Sequence, residues 1–294
     1  MKKTGKLGLG TVQWGLPYGV ANQSGVPTPK IVKKILLEAQ RIGIDVLDTS
    51  SQYGDAETVL GMNSLGVFKV ITKTPKFEVS RITPTEINQL KKTFQESLNK
   101  LSSKKVYGLL VHQVDDVLLQ GGSKIISTMK EFKEKGQVKK IGISVYNSKQ
   151  INAVMDIFKP DLIQLPLNVL DQRMLLDGDL EMLKKEGVEI HVRSVFLQGL
   201  LLMHLDRIPS YFESIKPLLV RWHAAAKDQG LTVNQAALSY IRSIPYVDKV
   251  IVGVDSLEQF ISCVDDFSIK ENFNAKGLAC DNPLFVNPSL WKIT

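Results

Sequence analysis

The sequence predicts a single α/β domain, a (β/α)8 TIM barrel, over residues 1–294. Short apolar runs alternate with longer amphipathic segments from one end of the chain to the other. The length of 294 residues suits a barrel of this type, which needs roughly 250 residues. No linker or internal repeat divides the chain. Because parallel strands with helical crossovers follow from such alternation, we expect one closed barrel.

Eight short apolar runs are the predicted strands. They are Leu7–Thr11, Ile44–Asp48, Phe68–Lys73, Val106–His112, Lys140–Ser144, Leu162–Leu165, Glu189–Ser194 and Lys249–Val252. The amphipathic segments are the predicted helices. They are Pro29–Ile42, Ala56–Met62, Pro84–Leu101, Ser123–Lys135, Lys149–Phe158, Gly178–Lys185, Ile215–Gln229 and Ser256–Val264.

Two further features depart from a plain strand–helix repeat. Residues Val233–Arg242 predict an additional helix before the last strand, and the tail from Asn272 to Thr294, which contains Pro283 and Pro288, is expected to be irregular. Such a tail can pack across one end of the barrel.

The composition is that of an ordinary soluble globular protein, with 44% hydrophobic and 23% charged residues. No apolar run reaches the roughly 18–20 residues that span a bilayer, and the first residues lack the apolar core of a signal peptide, so no membrane partner is expected. Cys263 and Cys280 form neither a disulfide framework nor a metal pattern. We therefore expect a cytoplasmic protein without a metal site.

The net charge of +7 comes from 37 basic and 30 acidic residues. The basic residues are spread over helical segments and are not interleaved with aromatic residues, so no nucleic-acid partner is expected. A mildly positive field would instead attract an anionic cofactor or substrate.

Four ionisable side chains lie at or just beyond the ends of predicted strands. Asp48, Lys73 and His112 end three apolar runs, and Tyr53 follows Asp48 in a turn. Chemistry in a (β/α)8 barrel takes place at the carboxyl ends of its strands. A phenol has a pKa near 10, which a neighbouring ammonium lowers. Tyr53 is thus the candidate general acid for a carbonyl oxygen, tuned by Lys73, which Asp48 holds.

The chain resembles the aldo-keto reductases in eight segments that occur in the same order. The segments are Leu7–Gly15, Leu47–Gly54, Ile71–Lys73, Leu109–His112, Ile141–Ser144, Ile163–Asn168, Gln198–Leu201 and Val250–Gly253. The resemblance implies that an aldehyde or ketone is reduced by NADPH, with NADH possible, and that Asp48, Tyr53, Lys73 and His112 are catalytic. His112 would orient the substrate carbonyl.

The resemblance also implies a set of cofactor contacts. They are Gly10, Thr11, Asp48, Ser144, Gln164, Arg193, Ser194, Val195, Phe196, Gln198, Gly199, Gly253, Ser256 and Gln259. Within this set Ser144 and Gln164 match residues that bind the carboxamide, the loop Val195–Leu201 matches a phosphate-binding loop, and Ser256 lies at a helix start suited to an anion.

Three departures from the family pattern bear on the cofactor. Val145 stands where Asn is common, so Asn147 or Asn168 would have to supply that carboxamide contact. Arg193 stands where many members stack an aromatic ring on the nicotinamide, and a planar guanidinium can also stack. Gly253 and Gln259 stand where Lys and Arg often hold the 2′-phosphate, so we expect only a modest preference for NADPH.

The substrate is expected to be a small carbonyl compound bound by Trp14, Tyr53 and His112. Trp14, Tyr18 and Trp291 would line an open site that could admit a sugar or a sugar-derived carbonyl. We expect a monomer or a small homo-oligomer.

Two alternatives remain open from the sequence. One is a nicotinamide-binding regulatory protein with little turnover, like the potassium-channel β-subunits. The other is a barrel hydrolase that uses Asp48 and Glu57.

Overall fold

The computed structural model describes residues 3–22 and 24–293. The predicted domain and tail therefore include four residues outside the described part, at positions 1, 2, 23 and 294. Eight parallel strands close into a barrel in sequential order, and β1 pairs with both β2 and β8. The strands are β1 Leu7–Gly10, β2 Val46–Asp48, β3 Lys69–Lys73, β4 Val106–Val111, β5 Val138–Ser144, β6 Leu162–Pro166, β7 Glu189–Arg193 and β8 Lys249–Gly253. The predicted fold class is confirmed.

Helices pack around the outside of the barrel. They are α1 Pro29–Ile42, α2 Ala56–Gly61, α3 Pro84–Lys100, α4 Asp115–Leu118, α5 Ser123–Glu134, α6 Ser148–Met155, α7 Arg173–Leu176, α8 Asp179–Lys185, α9 Lys216–Asp228, α10 Val233–Ser243, α11 Leu257–Ser268 and α12 Pro283–Val286. Short 3₁₀ segments complete the chain. They are Lys3–Lys6, Val12–Trp14, Leu197–Leu202, Leu205–Arg207, Ser210–Ile215 and Pro288–Leu290.

Local sequence explains where several helices begin and end. The Thr83 hydroxyl accepts from the Thr85 N–H at 3.2 Å and the Glu86 carboxylate accepts from the Thr83 N–H at 2.8 Å, so α3 starts with a capping box. The additional helix α10 starts in the same way, with Thr232 and Gln235. The sequence predicts this helix before β8, and the structure confirms it.

The tail differs from the expectation of irregular chain. It contains α12 and the 3₁₀ turn Pro288–Leu290, and the Trp291 ring lies 4.8 Å from the Phe212 ring, between centroids. The single turns α4 and α7 were also not predicted. Each has only four residues, which is too short to show helical periodicity.

The barrel interior contains a separate apolar cluster formed by Val46, Ile71, Leu110, Leu162 and Ile251. These residues come from five different strands and are at most 6% exposed. Side chains alternate along a strand, so the residue two positions further on faces the same way, one layer nearer the carboxyl end. The cluster therefore lies directly beneath the side chains at the carboxyl ends of the strands.

The opposite end of the barrel carries an ionic network. The Tyr107 hydroxyl donates to Glu189 at 2.7 Å, and Glu189 also lies 2.7 Å from the His191 ring nitrogen. Lys69, Lys139 and Lys140 lie within 5.7 Å of the Tyr107 ring centroid. This is the end of a (β/α)8 barrel where residues serve stability. None of the helices in the described ranges is long and apolar enough to cross a bilayer.

Candidate active site

The carboxyl ends of the strands bring the predicted catalytic residues together. Asp48, Lys73 and His112 each come two positions after a member of the interior cluster, namely Val46, Ile71 and Leu110. Strand alternation therefore directs their side chains into the barrel mouth. Gln164 and Gly253 occupy the same layer, two positions after Leu162 and Ile251.

Asp48 and Lys73 form a buried ion pair. The Lys73 ammonium donates to both carboxylate oxygens of Asp48, at 2.8 and 2.9 Å, and to the Thr49 carbonyl at 2.9 Å. Asp48 is 5% exposed and Lys73 is 2% exposed. Burial works against charge on Lys73, but Asp48 and Tyr53 outweigh it and raise the pKa of this ammonium. Lys73 is therefore a fixed cation at neutral pH.

Two glycines hold Tyr53 beside this pair. A Cβ atom on Gly15 would lie 1.9 Å from the Tyr53 carbonyl oxygen, and one on Gly54 would lie 2.3 Å from the Gly15 carbonyl oxygen. Gly54 also has φ of +52°, a conformation that other residues rarely adopt. The loops after β1 and β2 can pack this closely only because both positions lack a side chain.

Two opposing effects act on the pKa of Tyr53. The Lys73 ammonium lies 4.9 Å from the centre of its ring. Burial raises the pKa of Tyr53 above its ordinary value, while Lys73 and then Arg193 work in the opposite direction. The net pKa is raised, so the expectation that Lys73 brings it below its usual value is corrected: burial is the larger effect. Tyr53 is a protonated phenol near neutral pH, as a proton donor must be.

His112 lies next to Tyr53 and is neutral. Its ring is perpendicular to the Tyr53 ring, with centroids 6.0 Å apart. Burial, followed by the charges of Lys73, Lys76 and Arg193, lowers the pKa of His112 to about 2. The Nδ1 atom lies 3.3 Å from the Ser50 hydroxyl, which in turn accepts from the Gln52 N–H at 3.2 Å. If the Ser50 hydroxyl donates to Nδ1, the His112 proton is on Nε2 and is available to a ligand.

One cavity of about 520 Å³ opens above this group. Ligand sites usually have about 300–1,000 Å³. Its wall includes almost every residue that the sequence assigned to catalysis or to cofactor binding. These are Gly10, Thr11, Asp48, Tyr53, Lys73, His112, Ser144, Gln164, Arg193, Ser194, Val195, Phe196, Gln198, Gly199, Gly253 and Gln259.

Two assigned residues are not part of that wall. Trp14 is 1% exposed and its indole N–H donates to the Val254 carbonyl at 2.8 Å, so it joins the loops after β1 and β8 and does not line the opening. Ser256 caps α11, with its hydroxyl accepting from the Gln259 N–H at 3.1 Å. The Trp14 side chain is committed to the fold, whereas the Ser256 hydroxyl only accepts in its cap and keeps its proton for donation.

The suggested substitutes for the missing carboxamide contact are also committed elsewhere. The Asn147 side chain accepts from the Gln150 N–H at 3.0 Å and starts α6. Asn168 donates to the Ser194 carbonyl at 3.0 Å and accepts from two backbone N–H groups. Trp291 packs on Phe212 and does not line the cavity, whereas Tyr18 does.

Arg193 is held against an aromatic ring of the protein itself. Its guanidinium carbon lies 4.3 Å from the centre of the Tyr146 ring, and it donates to the Val145 carbonyl at 3.2 Å. The residue that the sequence treats as a substitute for a stacking ring thus already has a stacking partner. Tyr146 follows Ser144 by two positions and lines the same cavity.

The loop after β7 is strained where it borders the cavity. Ser194, Leu197 and Gln198 all have positive φ, between +49° and +59°, which costs energy in residues with a side chain. The Gln198 amide donates to the Tyr18 hydroxyl at 2.9 Å, so this loop contacts the loop after β1. Strain of this kind is common where backbone lies against a ligand.

Glu57 does not join the site. It is 1% exposed and accepts from the Thr72 hydroxyl at 2.6 Å, between α2 and β3. It borders a second cavity of about 220 Å³ and not the cavity above Asp48. Asp48 and Glu57 do not converge on one space, so the arrangement of paired carboxylates that a hydrolase would need is not present.

Several cavity residues were not identified from the sequence. The most informative are Gln13, Gln52, Lys76, Tyr146 and Asp255. Each lies in a loop after a strand end, which is the only signal that the sequence offers, because a loop side chain has no periodicity to fix its direction.

The residues around the strand ends fit a nicotinamide cofactor. The Gln164 amide donates to Asp48 at 2.8 Å, but its oxygen is buried with no hydrogen-bond partner in the described structure. A carboxamide NH₂ group would satisfy that oxygen. The Gln13 side-chain oxygen, further along the cavity wall, is buried and unpartnered in the same way.

A barrel with a Tyr–Lys–Asp–His cluster at its strand ends defines a class of carbonyl-reducing oxidoreductases, and the comparisons agree with it. The model of the aldo/keto reductase family matches residues 6–275. The chain belongs to the aldo/keto reductase family and is an oxidoreductase. Aldo-keto reductases use nicotinamide cofactors.

Solved structures show the same fold. The holo form of an aldo-keto reductase from Bacillus halodurans has 19% identity and a TM-score of 0.72, with 92% of this chain and 88% of that chain covered. A putative aldo-keto reductase from Pseudomonas aeruginosa has 19% identity and a TM-score of 0.66, with 90% and 89% covered. Comparison of the sequence with curated proteins found no match.

Proposed function

We propose that the protein reduces the carbonyl group of a small aldehyde or ketone to an alcohol, with a nicotinamide cofactor as reductant. One observation carries the proposal: the Lys73 ammonium of the buried Asp48–Lys73 ion pair lies 4.9 Å from the centre of the Tyr53 ring, and all three residues line an open cavity. A buried pair costs desolvation. Beside a phenol, the ion pair can stabilise the tyrosinate that proton donation would leave, which explains why it is buried here.

In this proposal Tyr53 donates its phenolic proton to the substrate oxygen. The tyrosinate that forms is stabilised by the Lys73 ammonium, which Asp48 and the Thr49 carbonyl hold in place. A nicotinamide cofactor held by Ser144 and Gln164 would supply the hydride equivalent for the carbonyl carbon. The alcohol then carries one new C–H bond and one new O–H bond, and Tyr53 is reprotonated from solvent.

Neutral His112 supplies a second hydrogen bond. With Ser50 at Nδ1, its Nε2–H can donate to the carbonyl oxygen and fix the oxygen beside Tyr53. A donor placed where negative charge develops is worth a large rate factor in enclosed sites. Ser50 is therefore a positioning residue that keeps the required tautomer.

The cofactor would lie along the cavity wall between β5 and β8. Ser144 and the unpartnered oxygen of Gln164 would hold its carboxamide, and the loop after β7 would lie against its phosphates. The family resemblance predicts NADPH, with NADH also usable. The wall contains both Lys76 and Arg193 near His112, which supports an anionic ligand at this end of the cavity.

The substrate is proposed to be polar, with a sugar or a sugar-derived carbonyl as the class that fits. Gln52, Tyr18 and Tyr146 line the opening together with Lys76. Their hydrogen-bonding groups suit a hydroxylated compound better than a hydrocarbon chain. The expected cytoplasmic location and the monomeric or small homo-oligomeric state stay predictions.

Two measurements on the wild-type protein test the proposed function. Titration of NADH and NADPH by nicotinamide fluorescence should show saturable binding. Consumption of the bound reduced cofactor should then follow the addition of members of a panel of aldehydes, ketones and open-chain sugars. Failure of both nucleotides to bind would refute the proposal. Tight binding without turnover over the whole panel would favour a nicotinamide-binding regulatory protein instead.

A further inference from the structure

The cavity has opposite charges at its two ends. Lys73, Lys76 and Arg193 are the only lysine or arginine residues on its wall in the described ranges, and all three act on the pKa of His112. The part of the wall at the end of β8 and the turn after β1, which we call the distal end, is formed by Gln13, Gly253, Asp255 and Gln259. It has one carboxylate and no cation among its lining residues.

Gln13 occupies the space above Gly253. A Cβ atom on Gly253 would lie 2.2 Å from the Gln13 side-chain oxygen and 2.5 Å from its nitrogen. Even a methyl side chain does not fit at position 253 while Gln13 keeps its position. The Gln13 oxygen is an acceptor without a donor, since it is buried and makes no hydrogen bond in the part of the chain that the structure describes.

Asp255 is held beside this acceptor. The Trp14 indole donates to the Val254 carbonyl at 2.8 Å, which ties the turn that carries Gln13 to the loop that carries Asp255. The Asp255 N–H donates to the Gln259 side-chain oxygen at 2.8 Å. Asp255 is partly exposed and makes no salt bridge within the described ranges. No cation of the described ranges pairs with its carboxylate, which is therefore open to a ligand.

The polar groups that the resemblance assigns to a phosphate bond partly to one another. The Ser256 hydroxyl and the Gln259 N–H bond to each other across the first turn of α11, and the Gln259 oxygen is bonded to Asp255. Beside the remaining uncharged donors, the distal end has no cation and places two acceptors on the wall, the Gln13 oxygen and the Asp255 carboxylate. Acceptors bind hydroxyl groups, and a phosphate dianion has none to donate.

We propose that the distal end binds an unmodified ribose diol through Asp255 and Gln13, so the protein selects NADH over NADPH. This inference rests on the proposed function, in that a nicotinamide dinucleotide must occupy the cavity. It reverses the cofactor preference that the family resemblance predicts. In other dinucleotide sites an acidic residue binds the ribose 2′-hydroxyl, whereas an arginine accommodates a 2′-phosphate.

The test is equilibrium binding, with no turnover needed. Dissociation constants of NADH and NADPH are measured by fluorescence titration for the wild type, Asp255→Asn and Glu258→Gln. Asp255→Asn removes the carboxylate charge at nearly constant size. Glu258→Gln removes the same charge three residues away, on an exposed position that does not line the cavity. Asp255→Ser provides the same change in charge if the Asn variant does not fold.

The wild type should bind NADH at least ten-fold more tightly than NADPH. Asp255→Asn should reduce this ratio by about ten-fold, mainly by tightening NADPH, and Glu258→Gln should leave it within two-fold. Adenosine 5′-monophosphate should compete with bound NADH better than its 2′-phosphorylated counterpart does. Equal or tighter binding of NADPH to the wild type, or an unchanged ratio in Asp255→Asn, would overturn the inference while leaving carbonyl reduction intact. Absence of binding by either nucleotide would instead refute the proposed function.

Discussion

The two ends of the cavity are built in different ways. At the catalytic end an ion pair fixes the polar groups: Lys73 donates to Asp48 and to the Thr49 carbonyl, and Gln164 donates to Asp48, with the Gln164 oxygen left for a ligand. At the distal end no ion pair fixes the wall, and the Gln13 oxygen is buried without a partner among the residues that the structure describes. The catalytic end is thus preorganised before any ligand arrives, and the distal end is completed by one.

This difference follows from the origin of the residues. Asp48, Lys73 and Gln164 belong to strands whose inner side chains are fixed by the register of the barrel. Gln13 belongs to the 3₁₀ turn after β1, and Asp255 belongs to the loop after β8. The ion pair that supports the chemistry lies on the rigid scaffold, and the close-packed loops hold Tyr53 against it. The choice of ligand depends on residues that can change without disturbing the sheet.

The largest expected effect is that of Tyr53→Phe. Removing the phenolic proton donor should lower the reduction rate by about 10²–10⁴-fold. Cofactor affinity should stay within a few-fold, because the hydroxyl acts on the substrate oxygen. Tyr211→Phe is the control, since the Tyr211 hydroxyl bonds to the Leu284 carbonyl, away from the cavity. A rate less than ten-fold below that of the wild type at saturating cofactor would show that another group donates the proton.

Lys73→Met should have the next largest effect on rate, about ten- to hundred-fold. This is less than the roughly 10²–10⁴ that a positioned acid contributes, because Lys73 acts only through Tyr53. Lys73 works against the burial that raises the pKa of Tyr53. Without Lys73 that pKa rises further, so the basic limb of the pH–rate profile for reduction should move upward.

The same change leaves Asp48 buried without its cation, which typically costs about 3–5 kcal/mol of stability. The double variant Asp48→Asn/Lys73→Met separates the two consequences. It should recover much of the stability and remain slow. If Lys73→Met is slow but its basic limb does not move, Lys73 only positions the site.

His112 should make the protein sensitive to acid. Its pKa is about 2 in the folded protein, against an ordinary value of 6.5. The unfolded chain therefore takes up a proton below pH 6.5 that the folded protein does not, and stability falls as pH falls towards about 2. The loss is about 1.4 kcal/mol per pH unit, which gives on the order of 2–3 kcal/mol near pH 4.5.

The free energy of unfolding of His112→Gln should accordingly decline less between pH 6.5 and 4.5. His204→Gln is the matched control because the His204 side chain is 81% exposed. Parallel curves for the wild type and His112→Gln would show that His112 is protonated in the folded protein, contrary to its assigned role.

Glu57→Gln should have the smallest effect on turnover, within a few-fold. Glu57 faces the second cavity, and burial raises the pKa of its carboxyl group. An amide can still accept from the Thr72 hydroxyl. Loss of activity beyond ten-fold in a folded variant would mean that Glu57 communicates with the catalytic end, and the hydrolase alternative would need to be reconsidered.

Most of the catalytic end could be predicted from the sequence. Asp48, Lys73 and His112 end apolar runs, and the alternation of two residues per strand repeat places them in one layer above Val46, Ile71 and Leu110. Helix limits were equally readable where caps exist, as at Thr83 in α3. Periodicity and capping are local, so one sequence suffices to find them.

The distal end was much less predictable. Position 253 has room for no side chain because Gln13, 240 residues earlier in the chain, fills the space above it. Ser256 suits an anion by its place in the sequence, yet its hydroxyl caps α11. Trp14 is aromatic and near a strand end, yet it is buried against Val254. The positions of these side chains depend on contacts between loops that are far apart in the chain. A local sequence pattern cannot predict such contacts.

The division of roles between the two ends is tested most directly by a double-variant cycle of Tyr53→Phe and Asp255→Asn. Single-turnover reduction and the NADH and NADPH dissociation constants are measured for all four proteins. Tyr53→Phe should lower only the rate, and Asp255→Asn should change only the ratio of the two cofactor dissociation constants. In the double variant, the rate should match that of Tyr53→Phe and the ratio that of Asp255→Asn, each within about 0.5 kcal/mol, as expected of independent sites. Abolished cofactor binding in Tyr53→Phe, or an unaltered rate in that variant, would contradict the account.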